Sequence, residues 1–226
     1  MNEIIQYYKS SIGKKQIVAT TGLLLILFII GHLAGNLLIY LGPDAFNNYA
    51  KKLASLRPGL YVIETFLLLM FLVHMYLTAL LVLENIKARG QAYKVEKTEK
   101  DRSLASIIMP YTGTIVVIFV VWHILDFTFV DHLGPRSILK DGNSYGLYGV
   151  VYNAFSEPSH TFLYIVAMFA LGLHLSHGVQ SFLQTFGLNQ PHTMPLIKNC
   201  SDAFALLIAI SYSAIPLYIL FFHPQG

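Results

Sequence analysis

Long apolar runs, separated by shorter polar and charged stretches, dominate this chain. A helix needs about 20 mostly apolar residues to cross a bilayer. Five windows meet that length, at about 16–41 ("QIVATTGLLLILFIIGHLAGNLLIYL"), 60–84, 104–130, 160–184 and 202–222. The runs are continuous rather than alternating, which argues against membrane strands. The pattern predicts an all-α membrane protein: five transmembrane helices in one transmembrane domain over residues 1–226, the first four forming an up-down bundle. Pro110 falls near the start of the third window, where it costs little. Pro216 lies inside the fifth, where a kink is expected. The stretch "DHLGPRSILKDGNSYGLYGVVYNAFSEP" between the third and fourth windows is too long for a mere connector. Its Gly and Tyr content predicts an ordered cap over one end of the bundle. No internal repeat stands out, and no small-residue cleavage site follows the first run, which is read as a retained span.

Composition agrees with lipid as the solvent. Of 226 residues, 55% are hydrophobic and 12% charged, against about 25% charged in soluble domains. Cys200 is the single cysteine. That excludes an internal disulfide, a C-x-x-C-H haem attachment and a cysteine-held iron–sulfur cluster on this chain alone. The net charge of +3 is small and scattered, so no nucleic-acid face is read from it. Basic residues in the loops set orientation. Lys9, Lys14, Lys15, Lys87, Arg89, Lys94, Lys97, Lys100, Arg102 and Lys198 fall on one side, against Lys51, Lys52, Arg57, Arg136 and Lys140 on the other. The N-terminus is expected on the cytoplasmic side and the C-terminus outside.

Histidines inside the spans are the candidate chemistry, because an ionisable group in a span is costly and points to function. His32, His74, His123 and His174 fall one on each of the first four windows. At about 1.5 Å per residue, His32 and His123 lie roughly 24 and 28 Å from the cytoplasmic ends of their spans. His74 and His174 both lie about 15 Å from theirs. In an up-down bundle spans one and three are diagonal, as are two and four. Each diagonal pair can therefore reach both faces of one planar metal macrocycle. Bis-histidine haem b fits, because the ring is apolar and its iron takes two axial nitrogens. Two such pairs would stack two haems along the bundle, His32/His123 holding the outer and His74/His174 the inner. A zinc or copper site would want its ligands at one depth. His177 competes with His174. Gly31 and Gly35 flank His32, and Gly172 and Gly178 flank His174. These leave room for a flat ring or, for Gly31 and Gly35, serve equally well as a helix contact. His132, His160, His192 and His223 fall at edges or in loops, where solvated roles are expected.

The stretches "SSIGKKQIVATTGLLL" at 10–25, "GHLAGNLLIYLGPDAFNNYAKKL" at 31–53 and "HLSHGVQSFLQTFGL" at 174–188 resemble the cytochrome b membrane anchors of succinate:quinone oxidoreductases, above all the five-span, two-haem cytochrome b558 type. The resemblance implies one haem between spans one and three and the other between two and four. Its ligand histidine carries glycine four and thirteen positions later, a spacing met by His174, Gly178 and Gly187 and not by His177. It further implies a bacterial inner (cytoplasmic) membrane location. Two partners would dock on the cytoplasmic face, a flavoprotein with FAD and an iron–sulfur protein, and these would carry the dicarboxylate chemistry. This chain would pass electrons to or from a membrane quinone, menaquinone by analogy with two-haem relatives. Glu64 and Asp126, at the outer end, are then candidates for the quinone proton relay. The alternative for each is an interfacial carboxylate paired with Arg57 or a loop amide. The histidine geometry alone also permits a di-haem cytochrome b of another respiratory enzyme, such as a hydrogenase or formate dehydrogenase, or a haem-free transporter with a histidine proton relay.

Overall fold

The computed structural model describes residues 2–88 and 104–222. Arg89, Lys94, Lys97, Lys100, Arg102 and His223 lie outside the described residues. Among the described residues the fold is helical, and the β pairing consists of an isolated bridge between Ile138 and Ser144. Five helices are long and apolar enough to span a membrane, so the fold class expected from the sequence holds.

A short helix, α1 (Asn2–Lys9), leads into α2 (Ser11–Asn36). Ser10 caps α2 by accepting from the Gly13 N–H at 3.1 Å, which satisfies one of the helix's free donors. Gly13 is needed for a second reason: a Cβ there would sit 2.3 Å from the Tyr7 carbonyl oxygen. The "SSIGKK" stretch is thus the sharp joint between α1 and α2. At its far end α2 tightens into a 3-10 turn (Leu37–Leu41) and stops at Gly42, whose φ of +92° suits glycine. The amphipathic α3 (Pro43–Ser55) follows, then α4 (Gly59–Ala88) returns. Lys14 of α2 pairs with Glu84 of α4, so the start of α2 meets the end of α4.

The second half repeats the up-and-down course with α5 (Leu104–Phe127), α6 (Gly146–Phe155) and α7 (Pro158–Thr185), and α8 (Met194–Phe222) completes it. The main packing partners are α7 with α8, α2 with α4, α5 with α7, and α2 with α7. That leaves α2 diagonal to α5 and α4 diagonal to α7. Gly172 of α7 lets α8 approach closely; a Cβ there would lie 3.0 Å from that of Ala209. A buried cluster including Leu33, Met168, Leu171 and Ile208 fills the seam between α2, α7 and α8. α7 ends in a Schellman motif: Leu188 N–H bonds the Leu183 carbonyl at 2.9 Å, Gly187 N–H the Gln184 carbonyl at 3.1 Å, and Gly187 has φ +73°.

Pro110 lies in the second turn of α5, near its start as expected. Two span bounds shift. α8 contains Pro216 and begins at Met194, because the Gln190–Thr193 turn starts the helix among polar residues, with Thr193 Oγ1 accepting from Gln190 N–H at 3.0 Å. The third span ends at Phe127, where the chain turns into the cap.

The cap is ordered by a few polar contacts. Ser137, fully buried, ends a short 3-10 turn (Pro135–Ser137), and its carbonyl accepts from Tyr145 N–H at 2.9 Å. Asn153 of α6 donates to the Arg136 and Ile138 carbonyls, both at 2.9 Å. Asn47 of α3 donates to the Tyr145 carbonyl at 2.8 Å and accepts from Tyr148 N–H at 3.1 Å. That ties the connection after α2 to the connection after α5, so both helices end on the same side. Packing is tight: a Cβ at Gly149 would stand 2.1 Å from the Ser137 carbonyl oxygen. Gly149→Ala should therefore displace α6 and lower the melting temperature of the purified protein, by an overpacking cost of about 1–3 kcal/mol. The exposed turn carries a pH dependence. Asn143 backbone and side-chain N–H groups and the Tyr145 hydroxyl all donate to Asp141, which holds its carboxyl below the usual range. A depressed carboxyl stabilises the fold above its unfolded value of about 4 and loses that contribution as pH falls through the folded value. Acid should loosen the turn in the parent more than in Asp141→Asn, read as pepsin cleavage within the cap.

Candidate functional site

His32 on α2 and His123 on α5 meet across the bundle near the cap. Their ring centres are 5.8 Å apart with planes at 88°. Each ring rests on a phenylalanine one turn earlier, Phe28 at 5.4 Å and Phe119 at 5.6 Å. A metal about 2 Å from one nitrogen of each imidazole would set the ring centres roughly 6 Å apart. At this spacing His32 and His123 would be able to hold one metal between them.

The His123 Nδ1 lies 3.5 Å from the Tyr164 hydroxyl on α7. That hydroxyl donates to Asp126 Oδ2 at 3.2 Å, so its hydrogen is spent and it faces His123 as an acceptor. The proton of His123 is thereby placed on Nδ1, leaving Nε2 free for a metal. Asp126, buried at the end of α5, also binds Arg136 of the cap at 2.7 Å. The His160 Nε2 lies 2.9 Å from Asp126 Oδ2, within ion-pair distance but off the line of a hydrogen bond. Trp122, Phe127 and Phe155 wall this cluster.

His74 on α4 and His174 on α7 form the lower level and interact electrostatically. The His74 Nδ1 lies 3.1 Å from both Thr21 Oγ1 and the Val18 carbonyl of α2. A carbonyl can only accept, so Nδ1 carries the proton and Nε2 is bare. Thr21 directs its own hydrogen to the Ile17 carbonyl at 2.8 Å. A similar pattern holds His174: Nδ1 is 3.4 Å from Thr112 Oγ1 of α5, with the Met109 carbonyl close by. Thr21 precedes His32 by eleven residues on one helix, which separates the two levels by about 16 Å.

All four rings are only half-buried by the chain's own atoms. Among the described residues no three His, Cys, Asp or Glu side chains converge on a common point. Imidazoles at two levels, with Nε2 left free on His74, His123 and His174, fit two bis-histidine haems.

The other candidates separate clearly. His177 makes no hydrogen bond or ring contact among the described residues and lies beside His174 on the same helix. Gly31 and Gly178 border open space, whereas Gly35 abuts the Tyr49 ring, 2.6 Å from where a Cβ would stand. Glu64 is exposed and pairs with Arg57 at 3.1 Å. His132 bonds the Phe127 carbonyl at 2.8 Å, and His192 is exposed in the connection before α8. Sequence reading missed Thr21, Thr112, Tyr164 and Arg136. A signal for the threonines existed: Thr-Gly stands ahead of the histidine at the same spacing in spans one and three.

No family model matches the chain, and no solved structure matches it. Among curated proteins it is similar to the succinate dehydrogenase cytochrome b558 subunit of Bacillus subtilis (strain 168), 25% identical over 195 residues that cover 86% of this chain and 88% of that one. Motifs and whole-chain similarity agree: this multi-pass membrane protein resembles the cytochrome b558-type anchor subunits of succinate dehydrogenase.

Proposed function

We propose that the chain is the di-haem cytochrome b anchor of a succinate:quinone oxidoreductase, working as succinate dehydrogenase or fumarate reductase. The observation that carries this reading is the set of two histidine pairs, each drawn from diagonal helices, with Nδ1 hydrogens bound on His74, His123 and His174. His32 and His123 would hold the outer haem b, and His74 and His174 the inner. Bound there, haem b supplies one-electron transfer between an iron–sulfur partner and membrane quinone. Residues 1–226 form one transmembrane domain in a bacterial inner membrane, with the N-terminus cytoplasmic. A flavoprotein with FAD and an iron–sulfur subunit dock at the α1 end, and the cap faces outward. The quinone, menaquinone by the family resemblance, would react near the cap.

The chain's own residues have distinct tasks in this reading. The helix bundle excludes water from the imidazoles. The Thr21, Thr112 and Tyr164 oxygens fix which ring nitrogen bears the proton. Asp126 Oδ2, beside His160 Nε2 and the Tyr164 hydroxyl, holds or releases a proton at the cap end, and the exposed Glu64 carboxylate offers a second exchange point.

A reduced-minus-oxidised spectrum with a haem count on the purified complex tests the assignment, and two haem b per chain are expected. His32→Ala and His123→Ala should each abolish the same haem. His74→Ala and His174→Ala should abolish the other, and His177→Ala neither. Loss of different haems within a pair would overturn the pairing. Glu64→Gln and Asp126→Asn should slow quinone turnover about 10²-fold or more, the scale of a lost general acid or base, and leave both haem spectra intact. Unchanged turnover would remove the altered residue from the relay.

A further inference from the structure

The histidine anchors expose a two-fold relation between the halves of the bundle. Shifting α2 by 91 residues onto α5 aligns Ile17 with Ile108, Thr21 with Thr112, Gly22 with Gly113, Phe28 with Phe119 and His32 with His123. The geometry follows the same register. A Cβ at Gly22 would lie 3.2 Å from His74 Cε1 and 3.6 Å from Nδ1, and a Cβ at Gly113 would lie at those same distances from His174 Cε1 and Nδ1. Val18, whose carbonyl bonds His74, and Met109, whose carbonyl lies close to His174, are also 91 residues apart.

The Thr-Gly pair has a physical logic. In a helix, a carbonyl points at the residue four positions on. Glycine at that position leaves the Val18 and Met109 carbonyls open from the side, and each carbonyl oxygen has a second lone pair to offer. The threonine beside it turns its hydrogen back to its own helix, Thr21 to Ile17 and Val18, Thr112 to Ile108 and Met109. Its oxygen then presents only lone pairs to the ring. Each histidine N–H thus meets a neutral threonine oxygen on a neighbouring helix, with a backbone carbonyl beside it. No charged side chain touches Thr21 or Thr112 in these contacts. The upper level differs, because the Tyr164 that receives His123 is itself bound to the Asp126–Arg136 ion pair.

We propose that Thr21 and Thr112 are matched positioning residues that set the reduction potential of the inner haem. The proposal rests on the ligand assignment above. Hydrogen bonding from a ligand's Nδ1–H to an acceptor raises the basicity of the ligating nitrogen, which favours the oxidised iron and lowers the potential. Valine keeps the shape of threonine and removes the acceptor, while the carbonyl bond remains.

Spectroelectrochemical titration of the purified complex tests this, reading the midpoint of each b-type band. Thr21→Val and Thr112→Val should each raise the midpoint of one and the same haem, and the double variant should raise it further. Thr21→Ser and Thr112→Ser should stay at the parental value, and the second haem should not move. Full haem occupancy with both midpoints unmoved in the valine variants overturns the proposal, as do shifts in different haems. Should a valine variant lose that haem, its return in the serine variant supports the hydroxyl's role, and loss in both overturns it. Failure of the ligand assignment looks different: the parental complex would lack two b-type haems, or His74→Ala would keep both.

Discussion

An imidazole inside an apolar bundle must find an acceptor for its N–H, because lipid offers none and an unpaired polar group there costs several kcal/mol. Helix backbones are poor sources, since their carbonyls are already bonded along the axis. The chain answers this need by opening one carbonyl with a glycine and adding a threonine oxygen beside it. The same two residues fix the tautomer, aim the bare nitrogen inward and hold the neighbouring helix at close range. Helix packing and imidazole orientation are therefore one problem with one solution on α2 and on α5.

The two levels draw on different surroundings. The lower rings lean on neutral oxygens of their neighbour helices. The upper ring of His123 leans on Tyr164, and through it on Asp126 and Arg136. Arg136 owes its place to the cap, where Asn153 grips its carbonyl and Gly149 lets α6 press against Ser137. The loop over the bundle is thus part of the electrostatics of the upper site, which explains why a connector of this length is folded rather than slack.

Much of the architecture was legible in the sequence, for a clear reason. Span length and hydropathy are set by the bilayer, so the five long helices fell near their expected windows. The bounds failed where polar residues join a helix, as at Met194, and where an apolar run leaves it, as at Leu37–Leu41. The histidines stood out because charge-capable groups are rare in such runs. Their anchors did not, because threonine, glycine and tyrosine are ordinary in membrane helices, and the repeated Thr-Gly spacing gains its meaning only with the neighbouring helix in view. Of the two acidic candidates, Asp126 is buried among partners and Glu64 is exposed beside Arg57. Span position alone could not separate them, because the difference comes from the folded cap.

Each histidine pair takes one member from the α2–α4 hairpin and one from the α5–α7 hairpin. During synthesis the first hairpin can insert alone, carrying one ring for each level and supporting His74 with its own Thr21. His174 likewise finds Thr112 within its own hairpin. Each lower ring is therefore held from within its own hairpin, and the seam between the halves is where the rings of the two hairpins face one another.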